Sequence, residues 1–236
     1  MLSERARSVR HFALFAEVTP IEFELIIAAS REKRYSRRET IYTEGESVRQ
    51  VTMLVSGFVK VTQMGLNGDE VILRLNGPGE IVGSYRVCTN CIHCSTAQTV
   101  QPCIALVWDA VAFEKLLARI PAFRRNTVRA LEERLREMEQ RFREVSTERV
   151  GSRLSNELVR ISERLRRIPD NGHLEITLSR AELAQLTGTT LFTVSRLLCY
   201  WQTLGIVKIR RESVLVQDFN ALTQISQNLD DQRVPA

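Results

Sequence analysis

Between residues 128 and 145 the apolar positions fall alternately three and four apart: Val128, Leu131, Leu135, Met138, Phe142 and Val145, with Arg, Glu and Gln filling the positions between. A helix that covers only its own domain shows a broader apolar stripe of period 3.6, whereas a narrow a/d seam with charged flanks suits a parallel partner helix. The spacing predicts a homodimer joined along this helix, which starts at Pro121. Upstream, from Arg34 to Asp109, short β-type segments alternate with glycine: 39–42, 51–55, 57–63, 70–75, 80–82, 97–100 and 105–108. Glycines 45, 57, 65, 68, 77, 79 and 83 stand at their corners, the pattern of an antiparallel barrel or jelly roll. Asn67-Gly68 predicts a tight hairpin turn. Thr19 and Pro20 open a short helix before this region, and residues 110–118 form another after it.

Downstream the period returns to helical, with Val150, Leu154, Leu158, Ile161 and Leu165 on one face up to the turn at Pro169-Asp170-Asn171-Gly172. Residues 174–178 alternate as a strand. Ser179 and Glu182 then form a capping box that starts a helix ended by Gly188. A second helix runs from Leu191 to Thr203, with Val194, Leu197, Leu198 and Trp201 on its buried face. Two short helices around a tight turn form a helix-turn-helix, whose second helix enters the DNA major groove. Segments 206–209 and 214–216 follow as a wing. The whole chain reads as α+β: an N-terminal antiparallel β-barrel with flanking helices over 1–120, a dimerisation helix over 121–147, and a winged helix-turn-helix over 148–236.

In that reader, Arg196 is the expected base contact, since a bidentate guanidinium on guanine is the commonest specific pairing. Ser195 suits a phosphate or base edge, and Phe192 either a thymine methyl or bare surface. Arg180, Thr190 and Thr193 are expected as phosphate contacts or caps, and Lys208, Arg210 and Arg211 as backbone contacts from the wing. Cys199 is assigned to the apolar side of the second helix.

The net charge of +5 suits a polyanionic partner without proving one. No apolar run approaches the roughly 18 residues needed to span a bilayer, and residues 1–12 lack a signal peptide's apolar core, so a cytoplasmic protein without membrane contact is expected. Five cysteines, four of them between Cys88 and Cys103, change the picture more than charge does. In a reducing compartment such clusters serve metals or redox chemistry rather than structural disulfides.

These pieces together resemble the Crp/Fnr family of dimeric transcription regulators over nearly the whole chain. The resemblance rests on Glu44-Gly45, Ser56-Gly57, the run Gly79-Glu80-Ile81-Val82-Gly83, the long helix, and Leu183-Ala184 through Thr187-Gly188, Thr190 and Thr193-Val194-Ser195-Arg196-Leu197-Leu198. It implies a cyclic-nucleotide-binding-like barrel and a two-fold symmetric double-stranded DNA operator, with RNA polymerase as an expected further partner. Fnr-like members carry Glu-x-x-Ser-Arg on the recognition helix. Phe192 stands here in place of the glutamate, which changes the expected operator sequence. In nucleotide-binding members an Arg-Ser pair grips the cyclic phosphate, whereas here Ser95-Thr96 precede Ala97 without an arginine and Ser84 replaces a glutamate. Cyclic-nucleotide or other small-molecule control is therefore the lesser expectation.

The loop instead reads Cys88-x2-Cys91-x2-Cys94, followed by Cys103. Such spacing lets thiolates converge on one centre, as bacterial iron-sulfur ligation begins. An iron-sulfur cluster, 4Fe-4S foremost, held by Cys88, Cys91, Cys94 and Cys103 and sensing oxygen, nitric oxide or redox state is the leading expectation. Fnr-like oxygen sensors hold their cluster cysteines mostly near the N-terminus, and this chain has none before Cys88, so those assignments do not transfer. Zinc on the same cysteines or on three of them with His93, a metal-free thiol/disulfide switch, and unrelated buried cysteines are the alternatives. From another class, a thiol oxidoreductase lacks a βαβ context and a general base, so no enzyme is expected.

Overall fold

The computed structural model describes residues 8–85, 91–166 and 175–227. It divides into two compact units, residues 1–137 and 138–236, and the division falls inside the long helix.

In the first unit a 3-10 turn, Ala13–Phe15, precedes α1 (Pro20–Ala28). The Thr19 hydroxyl accepts from the Glu22 amide and the Glu22 carboxylate accepts from the Thr19 amide at 2.9 Å, the reciprocal cap that fixes where α1 starts. Eight strands follow: β1 (Ser30–Tyr35), β2 (Thr40–Tyr42), β3 (Gln50–Ser56), β4 (Val59–Met64), β5 (Glu70–Asn76), β6 (Ile81–Val82), β7 (Thr96–Thr99) and β8 (Cys103–Asp109). They pair antiparallel into two four-stranded sheets, ordered β1-β8-β3-β6 and β2-β7-β4-β5, which makes the barrel a jelly roll. Between the sheets lie Leu54, Val59, Val61, Ala97 and Ala105, all fully buried. A second cluster joins the other face to the helices through Phe15, Phe23, Met53, Trp108, Phe113 and Phe123. The Trp108 indole donates to the Ile26 carbonyl at 2.8 Å, which satisfies its one polar atom in the core.

The expected hairpin at Asn67-Gly68 joins β4 and β5, with a longer loop than two residues. Residues 65–69 form a five-residue connection in which Gly68 alone has positive φ, +84°, closed by the Gly65 amide on the Asp69 carbonyl at 2.7 Å. A two-residue turn with both residues at positive φ would have shortened the loop. The sequence reading did not anticipate β1, which is polar and exposed up to Tyr35, or the C-terminal helix described below, although Asp218 caps the latter.

Asp109 caps α2 (Ala110–Arg119), and Pro121 opens α3 (Pro121–Thr147). The first turns of α3 belong to the sensor: Phe123 is buried, the Asn126 amide donates to the carbonyls of Leu14 and Ala16, and Arg134 Nη1 donates to the Gly83 carbonyl at 2.7 Å. No helix among the described residues is long and apolar enough to cross a membrane.

The second unit opens on the last turns of α3, followed by α4 (Val150–Arg166), β9 (Glu175–Ile176), α5 (Arg180–Thr187), α6 (Leu191–Thr203), β10 (Val207–Ile209), β11 (Val214–Val216) and α7 (Phe219–Gln227). Leu154 and Leu158 of α4 are fully buried, as their period requires. Ser155 binds α7 through its hydroxyl, which donates to the Leu222 carbonyl. Strands β10, β11 and β9 form a three-stranded antiparallel wing.

Candidate nucleic-acid interface and sensor loop

The reader is positioned by two local devices. Ser179 and Glu182 cap α5 reciprocally, and Gly188 ends it in the left-handed region at φ +60°, which turns the chain sharply toward α6. Thr190 then caps α6: its hydroxyl accepts from the Thr193 amide at 3.2 Å and lies 3.0 Å from the Thr193 hydroxyl. Both threonines therefore hold the helix N-terminus in shape. Val194, Leu197, Leu198 and Trp201 are buried on one side of α6, and this leaves the other side to solvent. Phe192, 84% exposed, and Arg196 stand on that open side, with Ser195 partly exposed beside them. Arg180 is half-buried at the start of α5.

Cys199 is also exposed, contrary to the sequence reading. It lies one turn beyond Arg196, and the buried set at 194, 197, 198 and 201 already fills the inward stripe. In the wing Lys208 and Arg211 are exposed, but Arg210 is engaged: its Nη1 donates to both Glu175 carboxylate oxygens at 2.9 Å, and the Ser213 hydroxyl donates to the same carboxylate at 2.6 Å. This ties the turn of the wing to β9 and removes Arg210 from the free cations.

The long helix carries its seam outward. Val128, Leu135, Met138, Phe142 and Val145 are all exposed, Leu135 by 57% and Phe142 by 77%, while Leu131 packs partly on the sensor core. An unshielded row of large apolar side chains along one helix is the surface a partner helix would cover.

Of the sensor cysteines that are described, Cys94 and Cys103 lie in different surroundings, one exposed and one in the core. Cys88 lies outside the described residues. Cys91 is disulfide-bonded, and Cys94 is a free, exposed thiol whose carbonyl accepts from the Gln63 amide. Cys103 sits elsewhere, as a 2% exposed member of the inter-sheet core whose thiol lies 3.4 Å from the Phe58 carbonyl and 3.1 Å from that of Gln101. Burial pushes the Cys103 thiol up to about 11, opposed by the Phe58 contact. A Cβ on Gly57 would lie 2.5 Å from its sulfur, which shows how closely the backbone encloses it. The expected four-cysteine set includes Cys88, which lies outside the described residues, while Cys103 stands in the inter-sheet core. His93 is stacked flat on Tyr42, centroids 3.7 Å apart, with burial pushing its pKa down and Glu46 opposing. No group of three metal-ligating side chains occurs among the described residues.

Comparison with known proteins places both halves. Residues 32–120 match the cyclic nucleotide-binding domain family, and residues 152–225 match the Crp-like helix-turn-helix domain family. A CRP-like cAMP-activated global transcriptional regulator of Mycobacterium tuberculosis is 25% identical over 213 residues, covering 89% of this chain and 95% of that protein. The anaerobic regulatory protein of Haemophilus influenzae is 22% identical over 197 residues, covering 83% and 76%. Among solved structures, FixK2 from Bradyrhizobium japonicum superposes with a TM-score of 0.71 at 22% identity, covering 86% of this chain and 98% of its own. With a nucleotide-binding-type jelly roll followed by a capped helix-turn-helix and wing, and with relatives matching across both, the chain belongs to the Crp/Fnr family of DNA-binding transcription regulators.

Proposed function

We propose that this regulator is a homodimer that reads a two-fold symmetric operator and responds to redox state through the thiols of its sensor loop. The observation that carries the sensing part is the loop itself: Cys91 is disulfide-bonded while Cys94, three residues on, is a free and exposed thiol. Closing a disulfide removes two protons and two electrons from a pair of thiols, which a peroxide or a small-molecule disulfide accepts. The Cys-x2-Cys-x2-Cys spacing favours a second reading, in which Cys88, Cys91 and Cys94 hold an iron-sulfur centre completed by a ligand other than Cys103.

Protein purified without oxygen separates the two. Metal-free, colourless protein whose operator affinity changes on oxidation supports the thiol reading, with Cys91→Ser and Cys94→Ser removing the response and Cys103→Ser leaving it. Brown protein containing iron and sulfide, bleached by oxygen or nitric oxide, supports the cluster. Stoichiometric zinc, or operator binding indifferent to the state of Cys91 and Cys94, overturns both.

For the reader, Arg196→Ala is expected to cost about 1–3 kcal/mol per half-site and to relax the preference at one base pair, because a bidentate contact is lost. Affinities measured on operators substituted base by base test this. A uniform loss across all of them would make Arg196 a phosphate contact.

A further inference from the structure

The first turn of the recognition helix presents hydrocarbon, not hydrogen-bonding groups, to its surroundings. Leu191 and Phe192, the first two residues of α6, are 45% and 84% exposed, while Val194 is buried in the reader. No acidic residue stands in that turn. The polar groups beside them are engaged in the cap: the Thr190 hydroxyl accepts from the Thr193 amide at 3.2 Å, and the two threonine hydroxyls lie 3.0 Å apart. The N-terminal residues of the second helix are the ones that meet base edges in a helix-turn-helix. Here that end offers two large apolar side chains, with Arg196 one turn further along.

In the major groove the base edges carry hydrogen-bonding atoms with one exception, the C5-methyl group of thymine. An apolar side chain pressed on guanine, cytosine or adenine strips water from N7, O6 or an amino group and supplies no partner, which costs free energy. Pressed on a thymine methyl, it removes apolar surface from water on both sides. The same two side chains therefore favour one base and disfavour the other three.

We infer that Leu191 and Phe192 are specificity-determining residues that read thymine methyl groups, so that each half-site carries a thymine within about two base pairs of the guanine read by Arg196. Phe192 and Arg196 stand four residues apart, about 6 Å along the helix, against about 3.4 Å per base pair. The inference rests on the proposed operator reading by α6 and deepens it by naming the base that the apolar pair selects.

The test first enriches operators from random-sequence duplexes with the full-length protein, reduced and oxidised in parallel. Each thymine of the enriched half-site is then replaced by deoxyuridine, which lacks only the methyl group and keeps every hydrogen-bonding atom. At one thymine near the guanine this is expected to weaken wild-type binding about fourfold in one half-site and about fifteenfold in both, the worth of one buried methyl per site. Phe192→Ala is expected to bind the thymine and deoxyuridine duplexes alike, and Leu191→Ala to narrow the difference, while both keep the guanine preference. Both side chains are exposed, and any loss through folding would fall equally on the two duplexes, so the methyl effect reports contact alone. An enriched half-site without thymine at that distance overturns the inference. So does wild-type binding indifferent to deoxyuridine, or a methyl effect that persists when both residues are alanine. In those cases a guanine preference that disappears in Arg196→Ala leaves the operator reading standing, whereas failure to enrich any duplex overturns both.

Discussion

Leu135→Asp is expected to give a folded monomer with at least about a hundredfold weaker hold on its operator, since two half-sites no longer act through one linked molecule. Leu135 is the cleanest position in the seam because its side chain is more than half exposed and takes no part in the core of its own chain. Burying a leucine against a partner contributes about 1.5–3 kcal/mol, and an unpaired carboxylate in the same place costs several more. Both effects occur twice in a symmetric dimer. Leu131→Asp would be ambiguous, since Leu131 also packs on the sensor core and its loss would damage the fold as well. Sedimentation, circular dichroism and operator titration on one preparation decide the matter. A variant that stays dimeric would make the exposed seam a surface for something other than a second copy.

Arg160→Met is expected to destabilise the reader unit by about 3–5 kcal/mol, the cost of breaking a buried ion pair from one side. Arg160 donates to both oxygens of Glu144, at 2.8 and 2.9 Å, and to Glu157 at 2.7 Å, while Arg141 donates to the other Glu157 oxygen. Both carboxylates are about 3% exposed, so neither can turn to water when the guanidinium is removed. The network joins the last turns of α3 to α4, on either side of a two-residue corner. Glu148 reinforces that corner by accepting from Arg143 and Asn156. Burial alone would raise the Glu144 pKa, but the hydrogen bonds and charge of Arg160 outweigh it and hold the carboxyl below its ordinary value.

A depressed carboxyl contributes stability above its unfolded pKa and loses it as pH falls through the folded one. Wild-type stability should therefore decline on acidification below about pH 4.5. In Arg160→Met the sign reverses: burial is left to raise the Glu144 pKa, so the variant regains part of its loss as pH falls from 7 toward 5. Urea unfolding at pH 7 and pH 5 reads the effect in the variant, and a series continued below about pH 4.5 reads that in the wild type. An Arg160→Met protein as stable as the wild type at pH 7 would show that the network carries no net energy.

What could be read directly from the sequence was encoded within a few contiguous residues. The cap at Thr19, the capping box of Ser179 and Glu182, the left-handed Gly188 and the Thr190 cap each satisfy backbone groups within one turn, so their residues declare the helix ends without help from the rest of the chain. The heptad on α3 is local in the same way, because spacings of three and four residues, seven in all, return to one face. The tertiary structure decided whatever depends on residues far apart in sequence. The strand β1, almost wholly exposed, has no apolar alternation and exists through its backbone ladder to β8, from Ser30 opposite Trp108 to Tyr35 opposite Cys103. That same ladder, with β3 on the other side of β8, holds Cys103 in the core, although its spacing from Cys94 suggested a shared ligand set. Arg210 looked like a free cation until the fold brought Glu175, 35 residues away, against it. Arg74 looked like one more strand residue until β5 turned it inward toward Arg134, 60 residues on. Charges and thiols take their roles from the neighbours that desolvate or pair them, and in a jelly roll those neighbours come from strands that are distant in the chain.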